Sequence, residues 1–114
     1  KPVSTSEARA MLRLLSGRVH QVHTAVALCV EGRNQSLLDT ARVRFRKIDE
    51  ESIDWYVRTL EPMDKAGAYA VQGAGGLLVE SVDGSPQTVI GLPVHRLPEL
   101  FGQSGLVYWD FVQV

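Results

Sequence analysis

Residues 61 to 73 read EPMDKAGAYAVQG, which sets two carboxylates (Glu61, Asp64), Lys65, Tyr69, Gln72 and two glycines into one short connection. Packing alone does not call for that mixture. The small residues from Ala66 to Ala70 would let a ligand approach the backbone closely. A short helix starting near Ala66 would present free amides beside the Lys65 ammonium, a combination that suits phosphate. Asp64 could hold a divalent cation that bridges phosphate oxygens, and Gln72 could make two hydrogen bonds with the edge of a base. A nucleotide would use all of these groups. A polar turn is the competing reading, and it is the commoner one for a glycine-rich connection with a single Asp-Lys pair, because the stretch matches neither a P-loop nor a dinucleotide fingerprint.

Other chemistry is poorly supplied. His20 and His23 sit three apart on an expected strand and so face opposite ways, which makes a poor metal pair, and His95 is isolated in sequence. The serines lack the histidine and aspartate partners of a nucleophilic triad. Cys29 has apolar neighbours (Ala27, Leu28, Val30) and no adjacent cation to lower its pKa, so a buried structural thiol in a reducing compartment is expected. Arg42, Arg44 and Arg46 alternate with Ala41, Val43 and Phe45, which reads as a solvated strand face; no aromatic residue is interleaved for stacking bases.

The bulk properties frame these candidates. In 114 residues, 45% hydrophobic and 22% charged, there is room for one domain with one core. Twelve Lys+Arg against thirteen Asp+Glu leave a formal net charge of −1, so no global field draws the chain to nucleic acid or to an anionic membrane. No apolar run reaches the ~18 residues a membrane span needs. A cytoplasmic location with neither nucleic acid nor membrane as partner is the expectation. The chain begins Lys1-Pro2, without an initiator methionine, and runs almost at once into a helix.

Elements must position the candidate groups. Ser4 and Glu7 have capping-box spacing, Ala8, Met11, Leu12 and Leu15 form one stripe, and Gly17 suits a left-handed stop; a helix is predicted over residues 5–16. Apolar or small residues on both faces of residues 25–30 predict a central strand within 18–31. Gly32-Arg33-Asn34 reads as a turn, and residues 37–47 as a half-exposed antiparallel partner. Asp49 caps a second helix with Ile53, Tyr56, Val57 and Leu60 buried, ending before Pro62. Residues 77–82 and 88–92 are predicted to form a hairpin about Asp83-Gly84-Ser85-Pro86. Pro93 opens a last helix, which Pro98 must kink or restart. Tyr108, Trp109 and Phe111 read as core or interface anchors. The sum is an α/β fold, a mixed sheet flanked by helices.

Lys1-Pro2, MLRLLSGRVHQVHTAVAL from Met11 to Leu28, EPMDKAGAYAVQGAGG from Glu61 to Gly76, and VIGLPV from Val89 to Val94 occur in the order found in the Maf family of nucleoside triphosphate pyrophosphatases. The chain resembles the C-terminal part of such a protein over nearly its whole length. DKAGAYAVQG resembles the dTTP/UTP subgroup rather than the subgroup acting on 7-methyl-GTP. The resemblance implies a two-lobed Maf/inosine-triphosphatase-like fold around a nucleotide cleft, with residues 1–114 the C-terminal part of a single domain. It implies hydrolysis of dTTP or UTP, with modified nucleotides as further candidates, to the monophosphate and pyrophosphate, aided by Mg²⁺ or Mn²⁺.

By matching position, Lys1 and Lys65 are implied phosphate ligands and Gln72 a base-selecting residue. Asp64 is the implied metal or water ligand, and Glu61 a motif acid of undefined role. The resemblance leaves room for a homodimer. Family members also carry S-x-S-P-R-R and an Asp-Thr pair, whose Asp is the proposed general base, ahead of the KP motif. Both would lie upstream of Lys1, so this sequence is expected to hold part of the site, with the N-terminal portion absent and little turnover by itself. A non-catalytic nucleotide-binding or regulatory module linked to septum formation is the alternative, and a plain interaction domain a third reading.

Overall fold

The computed structural model describes residues 1–107 and 109. Helix α1 (Thr5–Leu15) leads into strands β1 (Val19–Val30) and β2 (Arg33–Phe45), followed by helix α2 (Glu50–Arg58). Strand β3 (Val79–Asp83) and helices α3 (Pro86–Ile90) and α4 (Leu97–Gln103) complete the set, with 3-10 turns at Glu61–Asp64, Ala66–Ala68, Ala74–Leu78 and Val94–Arg96. The strands order β1-β2-β3, and β2 pairs antiparallel with β3, Val43 opposite Val82 and Arg44 opposite Ser81. The class is α/β, as the sequence predicts. The chain groups into two compact units, Lys1–Gln21 with Arg42–Asp83, and Val22–Ala41 with the described residues from Gly84 on.

In the first unit the helix signals act as read. Ser4 Oγ accepts from the Glu7 amide at 3.1 Å, and Asp49 accepts from the Ser52 amide at 2.8 Å. Each satisfies an amide that has no partner inside its helix. Gly17, at φ 67°, turns the chain after α1 and donates to the Arg46 carbonyl at 3.0 Å. Ala8 and Leu12 of α1, Val43 and Phe45 of β2, and Ile53, Tyr56 and Val57 of α2 are buried, with Ala68, Tyr69 and Leu78 from the connection after α2. Each large apolar side chain so buried contributes roughly 1.5–3 kcal/mol. Outside this core α1 and α2 are tied by Arg13 to Glu50 at 2.7 Å and by Arg9 to Asp54. Arg42, Arg44 and Arg46 are exposed while Ala41, Val43 and Phe45 are buried, so the alternation reads true.

The second unit departs from the sequence reading. Residues 86–90 form α3 and not the far strand of a hairpin: Ser85 Oγ accepts from the Gln87 amide at 3.2 Å, Pro86 fills the first turn, and Gly91 at φ 124° ends the helix. Ser-Pro is a helix start as readily as a turn, and the β-branched run Thr88-Val89-Ile90 hides that. Pro98 restarts the last helix, falling in the first turn of α4 after the Val94–Arg96 turn. Thr88 is fully buried; its hydroxyl donates to Asp39 and its carbonyl accepts from Thr24 Oγ1 at 2.8 Å. Asp39 also takes Arg96 Nη1 at 2.8 Å and faces His95 Nε2 at 3.3 Å, so His95, isolated in sequence, has a partner in space.

Several boundaries and burials also differ. The turn after β1 falls at Glu31 and Gly32, both with positive φ, so β2 starts at Arg33 and not at residue 37. In the sheet of described strands β1 is the outer strand, and alternate residues, Ala25, Ala27 and Cys29 among them, are exposed. The central strand and the buried thiol are therefore corrected: small apolar residues tolerate either side of a sheet, so their presence does not fix burial. Leu60, expected in the α2 stripe, is 64% exposed at φ 63°, because the helix has already ended at Arg58. Residues 77 and 78 belong to a 3-10 turn, and β3 begins at Val79. Trp109 is 65% exposed and so is not a core anchor; Tyr108 and Phe111 lie outside the described residues.

Candidate functional site

The connection from α2 to β3 is a chain of tight turns. Leu60 reverses direction in the left-handed region, and Pro62, which is buried, is the second residue of the first 3-10 turn. The Met63 amide donates to Leu60 at 3.1 Å, Ala68 to Lys65 at 3.1 Å, Gly73 to Ala70 at 3.1 Å and Gly76 to Gly73 at 3.0 Å. Over residues 66–68 there is one three-residue turn with Gly67 and Ala68 at positive φ. The helix expected to start near Ala66, and the aligned amides it would have offered to phosphate, are not formed. Gly67 at φ 76° and Ala68 at φ 69° leave the right-handed helical region, so the backbone repeat breaks before a second helical turn can follow.

Buried anchors hold these turns. Tyr69 packs edge-on against Phe45, with ring centroids 4.8 Å apart, and its hydroxyl lies 2.7 Å from His20 Nε2. His20 Nδ1 is buried without a hydrogen-bond partner among the described residues. Burial lowers the His20 pKa and raises that of Tyr69 to about 12, so the pair is neutral near pH 7. One turn further, the Tyr56 hydroxyl accepts from the Ala70 amide at 3.0 Å, and Glu61 Oε2 accepts from the Gly75 amide at 3.2 Å. Burial pushes the Tyr56 hydroxyl above its ordinary pKa; the Ala70 bond pulls the other way, and the Glu61 charge and hydrogen bond add to the rise.

Against this frame the charged candidates converge. Lys1 Nζ lies 3.8 Å from Asp64 Oδ1, and Lys65 Nζ lies 3.6 Å from Asp64 Oδ2. One carboxylate thus draws together two ammonium groups from distant parts of the sequence. The Lys1, Lys65 and Asp64 side chains are 66%, 42% and 75% exposed, so each pair is worth no more than ~1 kcal/mol, and an anion of higher charge could take over the lysines at little cost. Gln72 is outside this cluster, exposed in the turn that Ala70 and Gly73 close.

Metal ligation has narrower support. Among the described residues no group of three His, Cys, Asp or Glu side chains is placed to hold an ion. Asp64 fits only the kind of Mg²⁺ or Mn²⁺ site in which one carboxylate is completed by substrate phosphates and water. Sequence reasoning missed Tyr56 and His20 as parts of the site and left Tyr69 and Glu61 without a role. Tyr56 was legible only as a packing residue. Its bond to Ala70 spans a connection whose path no short-range pattern specifies.

The profile of the family "Maf-like protein" matches residues 1–104. A dTTP/UTP pyrophosphatase of Pasteurella multocida is 51% identical over 106 residues, covering 93% of this chain and 53% of that protein. Proteins of the same name from Shewanella oneidensis (46% identity, 94% of this chain, 55% of the relative) and Myxococcus xanthus (48%, 93% and 54%) are similar. The chain belongs to the Maf family. It spans about half the length of the curated relatives it matches.

Proposed function

We propose that the protein carrying this sequence is a nucleoside triphosphate pyrophosphatase that cleaves dTTP and UTP to the monophosphate and pyrophosphate. The activity for which its relatives are named supports the reaction, and the convergence of Lys1 and Lys65 on Asp64 is the observation that ties it to this chain. In this reading the triphosphate displaces Asp64 from the two lysines, which then offset charge on the pyrophosphate leaving group. A water oxygen bonds to the α-phosphorus as the bond from that phosphorus to the bridging oxygen breaks. The proton of the water goes to a general base other than Lys1, Glu61, Asp64, Lys65 or Gln72, and Gln72 reads the edge of the nucleobase. A Mg²⁺ or Mn²⁺ ion at Asp64 would supply further charge neutralisation on the phosphate oxygens.

The test is pyrophosphate release from dTTP, UTP, dCTP and GTP by the natural full-length protein, with and without Mg²⁺ or Mn²⁺, alongside K65A. Losing one ammonium from a charge-assisted phosphate contact is expected to lower kcat/KM by roughly ten- to a hundredfold. Wild-type kcat/KM in K65A refutes the assignment of Lys65, and absence of dTTP and UTP turnover refutes the function.

A further inference from the structure

We propose that Glu61 is a positioning residue: with the Tyr56 hydroxyl it clasps the backbone from Ala70 to Gly75 and so sets the turn that presents Gln72, an inference that rests on Gln72 reading the base. Two hydrogen bonds and two close approaches to glycines carry it. Glu61 Oε2 accepts from the Gly75 amide at 3.2 Å, beyond the far end of the turn. Tyr56 holds the Ala70 amide at 3.0 Å, at the near end. The glycines mark how closely these groups approach the backbone: a Cβ on Gly73 would lie 1.7 Å from Glu61 Oε1, and one on Gly75 would lie 2.5 Å from the Tyr56 hydroxyl. Glu61 thus occupies the space a side chain at residue 73 would need, with one oxygen against Gly73 and the other on the Gly75 amide. Its carboxylate is spent on the chain's own backbone, which distinguishes it from Asp64, whose oxygens face lysine ammonium groups. Between the two held ends, Val71 and Gln72 are the central pair of a turn closed by the Gly73 amide on the Ala70 carbonyl at 3.1 Å. A glutamine amide distinguishes bases only when its donor and acceptor meet the base edge in a fixed orientation, so loss of the clasp blurs the choice of base.

The experiment measures kcat and KM for dTTP and dCTP in the natural full-length protein and in E61A, E61D, E61Q and Q72A, with amide hydrogen exchange at Gly75 read in the same proteins. E61A is expected to lower the dTTP to dCTP preference about tenfold, chiefly through KM for dTTP, and to speed exchange at Gly75. E61D keeps the charge but shortens the reach by one carbon, so the same loss is expected; it carries the test if E61A does not fold. E61Q keeps an oxygen that can accept from Gly75 and should recover most of the preference. A merely structural role would depress turnover of both nucleotides alike and leave the ratio in place. An unchanged ratio in E61A or E61D, with Q72A altering it, overturns the clasp alone. An unchanged ratio in Q72A overturns the reading of Gln72 and the inference with it.

Discussion

Adding a methyl group at Gly75 tests the packing of the clasp without touching a charged group. The new Cβ would meet the Tyr56 hydroxyl at 2.5 Å, the Ala70 carbonyl oxygen at 2.8 Å and the Ala70 nitrogen at 3.0 Å. None of these neighbours is the free end of a flexible chain: Tyr56 is fully buried, and the other two atoms are backbone. Overpacking of this kind costs about 1–3 kcal/mol, and displacing the Tyr56 hydroxyl from the Ala70 amide adds about 1 kcal/mol. Replacing glycine recovers about 0.4–1 kcal/mol through the unfolded chain. G75A should therefore lose about 1–3.6 kcal/mol, read as a lower urea midpoint at unchanged slope for the natural full-length protein. The cycle with Y56F sharpens the test, because deleting the hydroxyl removes the closest clash. The double variant should be more stable than the sum of the singles predicts by at least ~0.5 kcal/mol. Wild-type stability in G75A, or strict additivity with Y56F, would refute the packing argument.

Three further outcomes are expected. Gly102 sits inside α4 with open space where a Cβ would point, so G102A should raise stability by ~0.5–1 kcal/mol in the same unfolding assay. Asp39 is held below its ordinary pKa, first by the Thr88 hydroxyl and then by Arg96. Its contribution is therefore complete above about pH 4, the unfolded value, and is lost as pH falls through the lower folded pKa. T88V should shrink that acid-limb loss in unfolding curves taken between pH 2 and 7, and an unchanged limb would count against the pairing. Burial lowers the His20 pKa, so the folded protein takes up its proton later than the unfolded chain; stability is full above about pH 6.5 and falls as pH drops through the lower folded value. H20L should flatten that part of the profile, and an unaltered slope would show that His20 does not titrate there.

Local chemistry was the readable part of this sequence. Ser4, Gly17 and Asp49 mark helix ends because their side chains or φ preferences act within a few residues, and the Ala41 to Arg46 alternation declares its own faces because strand geometry has a period of two. The candidate stretch could be found from its inventory and its motif order, and Asp64 with Lys65 are neighbours in the chain.

What waited for the tertiary structure was whatever depends on a partner distant in sequence. Lys1 meets Asp64, Tyr69 meets His20, Asp39 meets Thr88 and Arg96, and Glu61 closes on Gly75 only after the connections between them have folded. Cys29 and Leu60 were misread for the same reason, since hydrophobicity states a preference for burial while the strand's place in the sheet and the helix's last turn decide the outcome. Residue types thus determined which groups were on offer, and three-dimensional packing decided which were committed: Glu61 to its own backbone, Lys1 and Lys65 to one exposed carboxylate. The physical reason is range. Capping and strand alternation act between neighbours, whereas ion pairing and burial act between any groups that the whole chain brings within a few ångströms.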